Sequence, residues 1–126
     1  MKELNGIGSR NLTLLTDFYE LTMANGYLAN GYEDTIAYFD MFFRKVPNEG
    51  GFALMAGVQQ VVDYLKGLTF TEEDIAYLRS TGIFNEKFLE YLRSFEFSCD
   101  IWAIPEGTPI FPGEPIVTVR GPVIQA

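Results

Sequence analysis

Apolar positions along the chain change their spacing from segment to segment. Tyr19, Met23 and Tyr27 form one stripe at intervals of four, and Leu21, Ala24 and Leu28 form a second. This period predicts a helix over 16–30, with Thr16 as N-cap, Asp17 in the first turn, and Gly26 and Gly31 weakening and then ending it. Two apolar faces predict a helix covered on most sides. Thr35 to Phe43 is β-branched and aromatic on both faces, which predicts a central, buried strand. Val46-Pro47-Asn48-Glu49-Gly50-Gly51 reads as a turn-rich loop, with Gly50-Gly51 as a tight turn, and Phe52 to Met55 as a short strand.

Helical spacing returns after Gly57, with Val58, Val61, Val62 and Leu65 on one face up to Gly67. Thr71-Glu72-Glu73-Asp74 has the form of a capping box and predicts a short helix that turns Ile75 and Leu78 inward. Asn85 is placed to cap a further helix, with Phe88, Leu89, Leu92 and Phe95 inward and Glu86 and Lys87 outward. Helices are thus expected near 16–30, 57–66, 72–79 and 86–94. From Cys99 the texture becomes that of strands: 101–104, 108–111 and 115–120, divided by Pro105-Glu106-Gly107 and Pro112-Gly113-Glu114. That order reads as a β-meander over 99–126. Residues 1–11 are polar and read as a surface tail. The expected fold is α+β: a small mixed or antiparallel sheet with four helices. The sequence stops straight after a predicted strand, with Gln125-Ala126, and this reads as a break in a longer polypeptide.

Composition narrows the possible functions. With 48% hydrophobic and 15% aromatic residues, the 126-residue chain can bury a core, so disorder is excluded. Acids outnumber bases 17 to 9, so the surface repels phosphodiester backbones and no nucleic-acid or membrane partner is expected. Cys99 is the only cysteine, and no apolar signal segment opens the chain, which together point to a cytoplasmic protein. Cys99 and Trp102 read as packing residues, and Glu106 as a turn residue. There is no histidine, which removes Ser-His and Cys-His nucleophile systems and imidazole metal sites. No metal ligands and no catalytic residue are assigned.

The segment Thr16-Asp17-Phe18-Tyr19 puts a carboxylate and a phenol two positions apart at a helix start, pointing in different directions. On the residues alone, a capped helix with a core aromatic is the better explanation, and only the resemblance below changes that weighting. Arg44 follows a predicted strand, where ligand contacts are common in α/β proteins, and a solvated strand-end charge is the alternative. Lys45 beside it is the weaker candidate and reads rather as a solvated charge.

Leu14-Leu15-Thr16-Asp17-Phe18-Tyr19-Glu20-Leu21-Thr22-Met23-Ala24-Asn25-Gly26-Tyr27 resembles the opening signature of the nicotinate phosphoribosyltransferases. Phe42-Phe43-Arg44-Lys45-Val46-Pro47, then Gly50-Gly51-Phe52-Ala53 and Gly57, resemble the same family in the same order. So do Pro105-Glu106-Gly107, Pro112-Gly113-Glu114-Pro115 and Gly121-Pro122. The resemblance runs from about Asn11 to the end. It implies the amino-terminal domain of a type II phosphoribosyltransferase, with an α/β barrel elsewhere in the polypeptide. It implies an enzyme joining nicotinate to phosphoribosyl pyrophosphate in NAD salvage, giving nicotinate mononucleotide and pyrophosphate, with ATP and Mg2+ used by the whole enzyme. The family's catalytic histidine has no counterpart here, so this piece alone is expected to bind neither cofactor and to be inactive. The resemblance further implies a homodimer whose site lies at the subunit interface. Tyr19 would stack on nicotinate there, Asp17 would orient the helix start or contact the base region, and Arg44 would hold phosphate. Alternatives are a nicotinamide or quinolinate phosphoribosyltransferase, and a stand-alone binding module.

Overall fold

The computed structural model describes residues 11–126; the tail expected over 1–11 lies outside the described residues, except for Asn11. In chain order the elements are α1 (Phe18–Ala29), β1 (Ile36–Met41), a 3-10 turn (Pro47–Glu49), β2 (Ala53–Leu54), α2 (Val58–Lys66), α3 (Glu72–Ser80), α4 (Glu86–Arg93), β3 (Asp100–Ala103), β4 (Pro109–Ile110) and β5 (Val117–Pro122). The α+β expectation with four helices holds, and the observed strand pairs are antiparallel.

Both predicted caps of the central helices are formed. The Asp74 backbone N–H donates to Thr71 Oγ1 (3.2 Å), and Asp74 Oδ2 in turn accepts from the Thr71 N–H (2.8 Å). Asn85 Oδ1 accepts from the Phe88 N–H at 2.7 Å. Each bond satisfies one of the amide donors that a helix start leaves without a partner. The two helices then bury Ile75, Leu78, Phe88, Leu89 and Leu92, with Leu28 of α1 and Phe84, as one core.

Helix α1 begins one residue later than its spacing suggested. Asp17, not Thr16, is the N-cap residue, and its carboxylate makes no capping hydrogen bond. The Thr16 hydroxyl reaches instead to the Glu20 carboxylate. The expectation of a helix covered on most sides is also corrected. Only Leu28 is buried, and Tyr19 and Met23 are exposed. A helical stripe shows which residues share a face, but not whether another element covers it.

The main sheet has the order β1-β5-β3, so β5 is central and β1 is an edge strand. Ile36, Tyr38, Phe39 and Met41 are each half or more exposed, which corrects the central, buried assignment. Aromatic and β-branched residues suit an uncovered pleated surface as well as a buried one. The stretch read as a meander is also arranged differently. β3 pairs with β5, while β4, between them in sequence, leaves to pair with β2. Met55, Ile110 and Val117 form the second core where the two sheets meet. The other face of the main sheet is open. There the register lines up Tyr38, Arg120 and Asp100, and beside them Asp40, Thr118 and Trp102. Trp102 is therefore exposed, opposite a threonine on the open face, and is not a core residue. Cys99 is half-buried and lies against Gly121, where an added Cβ would come within 3.1 Å of the Cys99 Cα.

Candidate functional site

The two cores set the start of α1 beside the end of β1. Phe18 anchors the first of these. Its ring meets Phe84 edge-on at 5.7 Å, and Phe84 stacks on the buried Phe88 at 5.6 Å. With Phe18 held by α4 and its approach, the neighbouring side chains of Asp17 and Tyr19 are left on other sides of the helix start. Tyr19 is 59% exposed.

The end of β1 is anchored by the loop before β5. The Ile116 N–H donates to the Met41 carbonyl at 2.8 Å, and the Gly113 N–H to the Phe43 carbonyl at 2.9 Å. Gly113 has φ +79°, a left-handed conformation that glycine adopts without strain. Phe43 packs against the second core. Strand alternation then gives the opposite side to Asp40, Phe42 and Arg44, at every second position.

These two ends border one open cleft of about 850 Å3, lined by Asp17, Tyr19, Asp40, Met41, Phe42, Arg44 and Lys45. Every residue singled out in the sequence as a binding candidate, Asp17, Tyr19 and Arg44, is thus on the same cleft, with Lys45 beside them. Sequence reasoning missed Asp40 and gave Phe42 no role. Their signal was present as the i, i+2, i+4 relation to Arg44, but a strand taken to be buried on both faces hid it.

The electrostatics of the cleft are mixed, with two carboxylates and two cations on its wall. Asp40 is fixed by the neighbouring strand, since Thr118 Oγ1 donates to its Oδ1 at 2.5 Å. Among the described residues, neither Arg44 nor Lys45 takes part in a salt bridge. An exposed aromatic face beside two cations without internal partners suits a flat ring carrying, or linked to, an anionic group. No group of three or more His, Cys, Asp or Glu side chains among the described residues is arranged to hold a metal ion. No described helix is long and apolar enough to cross a membrane.

The arrangement of elements is found in other solved structures. A crystal structure of nicotinate-nucleotide pyrophosphorylase from Pyrococcus furiosus shares the fold over 98% of this chain and 25% of its own, with a TM-score of 0.62 at 18% identity. The crystal structure of human nicotinic acid phosphoribosyltransferase superposes with a TM-score of 0.78 at 37% identity, over 87% of this chain and 23% of its own. In sequence, a nicotinate phosphoribosyltransferase of Mycobacterium tuberculosis is 45% identical over 113 residues, which are 90% of this chain and 24% of the relative. The Bacillus subtilis enzyme of the same name is 36% identical over 121 residues, 96% of this chain and 25% of the relative. The fold is therefore that of a phosphoribosyltransferase amino-terminal domain. Residues 14–126 match the family model of the nicotinate phosphoribosyltransferase N-terminal domain, and the chain belongs to that family. It spans about a quarter of the length of these relatives.

Proposed function

We propose that the cleft is the part of a nicotinate phosphoribosyltransferase that receives the pyridine ring and a phosphate of the sugar donor. The observation that carries this reading is the meeting of Tyr19, Asp17 and Arg44 on one cleft, with Tyr19 exposed and uncovered by its own chain. The reaction joins nicotinate to phosphoribosyl pyrophosphate and releases pyrophosphate, in NAD salvage in the cytoplasm.

Each side chain has a role set by its chemistry. The Tyr19 ring offers a flat face to the electron-poor pyridine in an offset stack. In this reading the ring it receives is held mainly by a second subunit of a homodimer, which its exposure supports. The Arg44 guanidinium suits phosphate, which it can hold through two parallel N–H donors, and Lys45 adds a second positive charge. Asp17 acts indirectly: a carboxylate aimed at the nicotinate carboxylate would repel it, so its place is at the helix start and not on the ligand's acid group. ATP and Mg2+ are assigned to the remaining length of the family's polypeptide. This chain has no histidine to accept phosphate.

The test uses the product of the native gene. Tyr19→Ala is expected to raise KM for nicotinate by about 5- to 150-fold, the range that loss of one stacked base implies. It should leave KM for phosphoribosyl pyrophosphate nearly unchanged, and Tyr19→Phe should behave as wild type. Arg44→Ala is expected to do the reverse, weakening the sugar donor by about 10- to 150-fold. Steady-state kinetics that show both variants at wild-type values would remove the assignment.

A further inference from the structure

Helix α1 and strand β1 are two arms joined by residues 30–35, and the cleft lies at their other ends. Tyr19 stands at the start of α1 and Arg44 just past the end of β1, both away from that connection. With 12 residues in the helix and 6 in the strand, the arms are about 18 and about 20 Å long. A rotation of about 3° at the connection therefore moves the far end of either arm by about 1 Å. What holds the connection sets the width of the cleft.

The segment after the central strand holds it. The Val123 N–H donates to the Thr35 carbonyl at 2.7 Å, and Ile124 packs against the helical core. Gln125 then joins the start of β3 to α4. Ser98 donates to Gln125 Oε1 through its N–H at 2.9 Å and its hydroxyl at 3.1 Å. A backbone N–H can only donate, so that oxygen is fixed as the acceptor. The amide nitrogen is left for Tyr91 of α4, and it donates to the Tyr91 hydroxyl at 3.2 Å. Tyr91 packs against the same core as Leu28 of α1. Lys87 of α4 pairs with Glu33, inside the connection itself, at 3.6 Å.

We propose that Gln125 is a positioning residue for the cleft: through Tyr91 and Ser98 it sets the angle between α1 and β1, and with it the separation of Tyr19 from Arg44. The proposal rests on the assignment of the cleft to base and phosphate. In that assignment the pyridine meets one arm and the sugar donor the other. A loosened connection then leaves the binding of each substrate intact and spoils the distance at which the two react. Gln125 acts from the opposite end of both arms and lines no part of the cleft.

The experiment uses the product of the native gene and measures KM for each substrate, the single-turnover rate with both saturating, and the urea midpoint. Gln125→Ala is expected to slow the single turnover by about 10- to 100-fold, the cost of a misplacement of about 1 Å, with both KM values nearly unchanged. Tyr91→Phe keeps the packed ring and loses only the hydroxyl, so it should slow the same step less. Added to Gln125→Ala it should slow the step no further, because the two side chains form one contact. Tyr91→Phe also serves where Gln125→Ala does not fold. A folded variant of either residue that turns over at the wild-type rate overturns the proposal, even with a lowered urea midpoint, because the contact would then only stabilise. A rise in one KM alone, or full additivity of the two variants, overturns it as well. If Tyr19→Ala and Arg44→Ala still show their separate effects in those cases, the reading of the cleft stands without this addition. If neither shows an effect, the reading and the proposal fall together.

Discussion

Asp74 joins the first described residue to the helical core. Asn11 Nδ2 donates to both its carboxylate oxygens, at 3.0 and 2.8 Å, and Thr71 donates through its N–H at 2.8 Å and its hydroxyl at 2.7 Å. Burial opposes the charge, but the hydrogen bonds from Thr71 and Asn11 outweigh it and hold the carboxyl below the usual range. A folded pKa below the unfolded one adds stability above pH ~4, and that stability is lost as pH falls through the folded value. Asp74→Ala is therefore expected to lower stability at neutral pH by about 1–2 kcal/mol, as loss of a cap does. It should also flatten the decline on acidification. Urea melts at pH 7 and between pH 5 and 2.5 measure both; an acid slope as steep as the wild type's would show that another carboxylate is responsible. This residue was legible in the sequence as part of a capping box, because the capping pattern is local. Its tie to Asn11, 63 positions away, was not legible, because nothing local encodes it.

At the scale of elements, α4 links stability to the cleft. Phe88 is fully buried, stacks on Phe84, and through it holds Phe18 at the start of α1. Phe88→Ala is expected to cost about 3–5 kcal/mol. It should also loosen the helix start that carries Tyr19, so KM for nicotinate should rise even under conditions where the variant remains folded. A destabilised variant with unchanged nicotinate KM would show that the Phe18 anchor does not position Tyr19. The helices were readable because caps, spacing and glycine stops coincide within a dozen residues. The sheet was readable only in part. β2 and β4 are two residues each, Ala53–Leu54 and Pro109–Ile110, too short to carry a period. They pair Ala53 with Ile110 and Leu54 with Pro109, partners more than fifty positions apart, which nothing local encodes. Trp102 and Tyr38 looked like core because residue type reports what a surface favours, not whether anything covers it.

Across the whole molecule, the cleft lies between the start of α1 and the end of β1, elements that pack on separate cores. Asp17 and Tyr19 stand at the start of α1, Asp40 on β1 and Arg44 just after it. The sequence could nominate Tyr19 and Arg44 singly, by resemblance, but it held no signal that they share a cleft. That depends on the Ile116 and Gly113 bonds to the end of β1. A chain ending at residue 116 lacks the central strand, so it should keep the α3–α4 core and lose the sheet. Amide exchange should show Ile75, Leu78, Leu89 and Leu92 protected and residues 36–41 unprotected. Protection of both segments would mean that β1 has found a different partner.

The central place of β5 has a consequence for how the protein is made. On the ribosome β1 emerges early, but the strand it needs is the last of the described strands to appear; the Asp40–Thr118 bond joins positions 78 apart. At ordinary translation speeds of about 5–20 residues per second, that interval lasts roughly 4 to 16 s. Throughout it, Ile36, Tyr38, Phe39 and Met41 wait as an unpaired sticky segment while the helices between β1 and β3 are already able to fold. A nascent chain in this state is a natural client for a holding chaperone, and slower elongation would lengthen its exposure to aggregation.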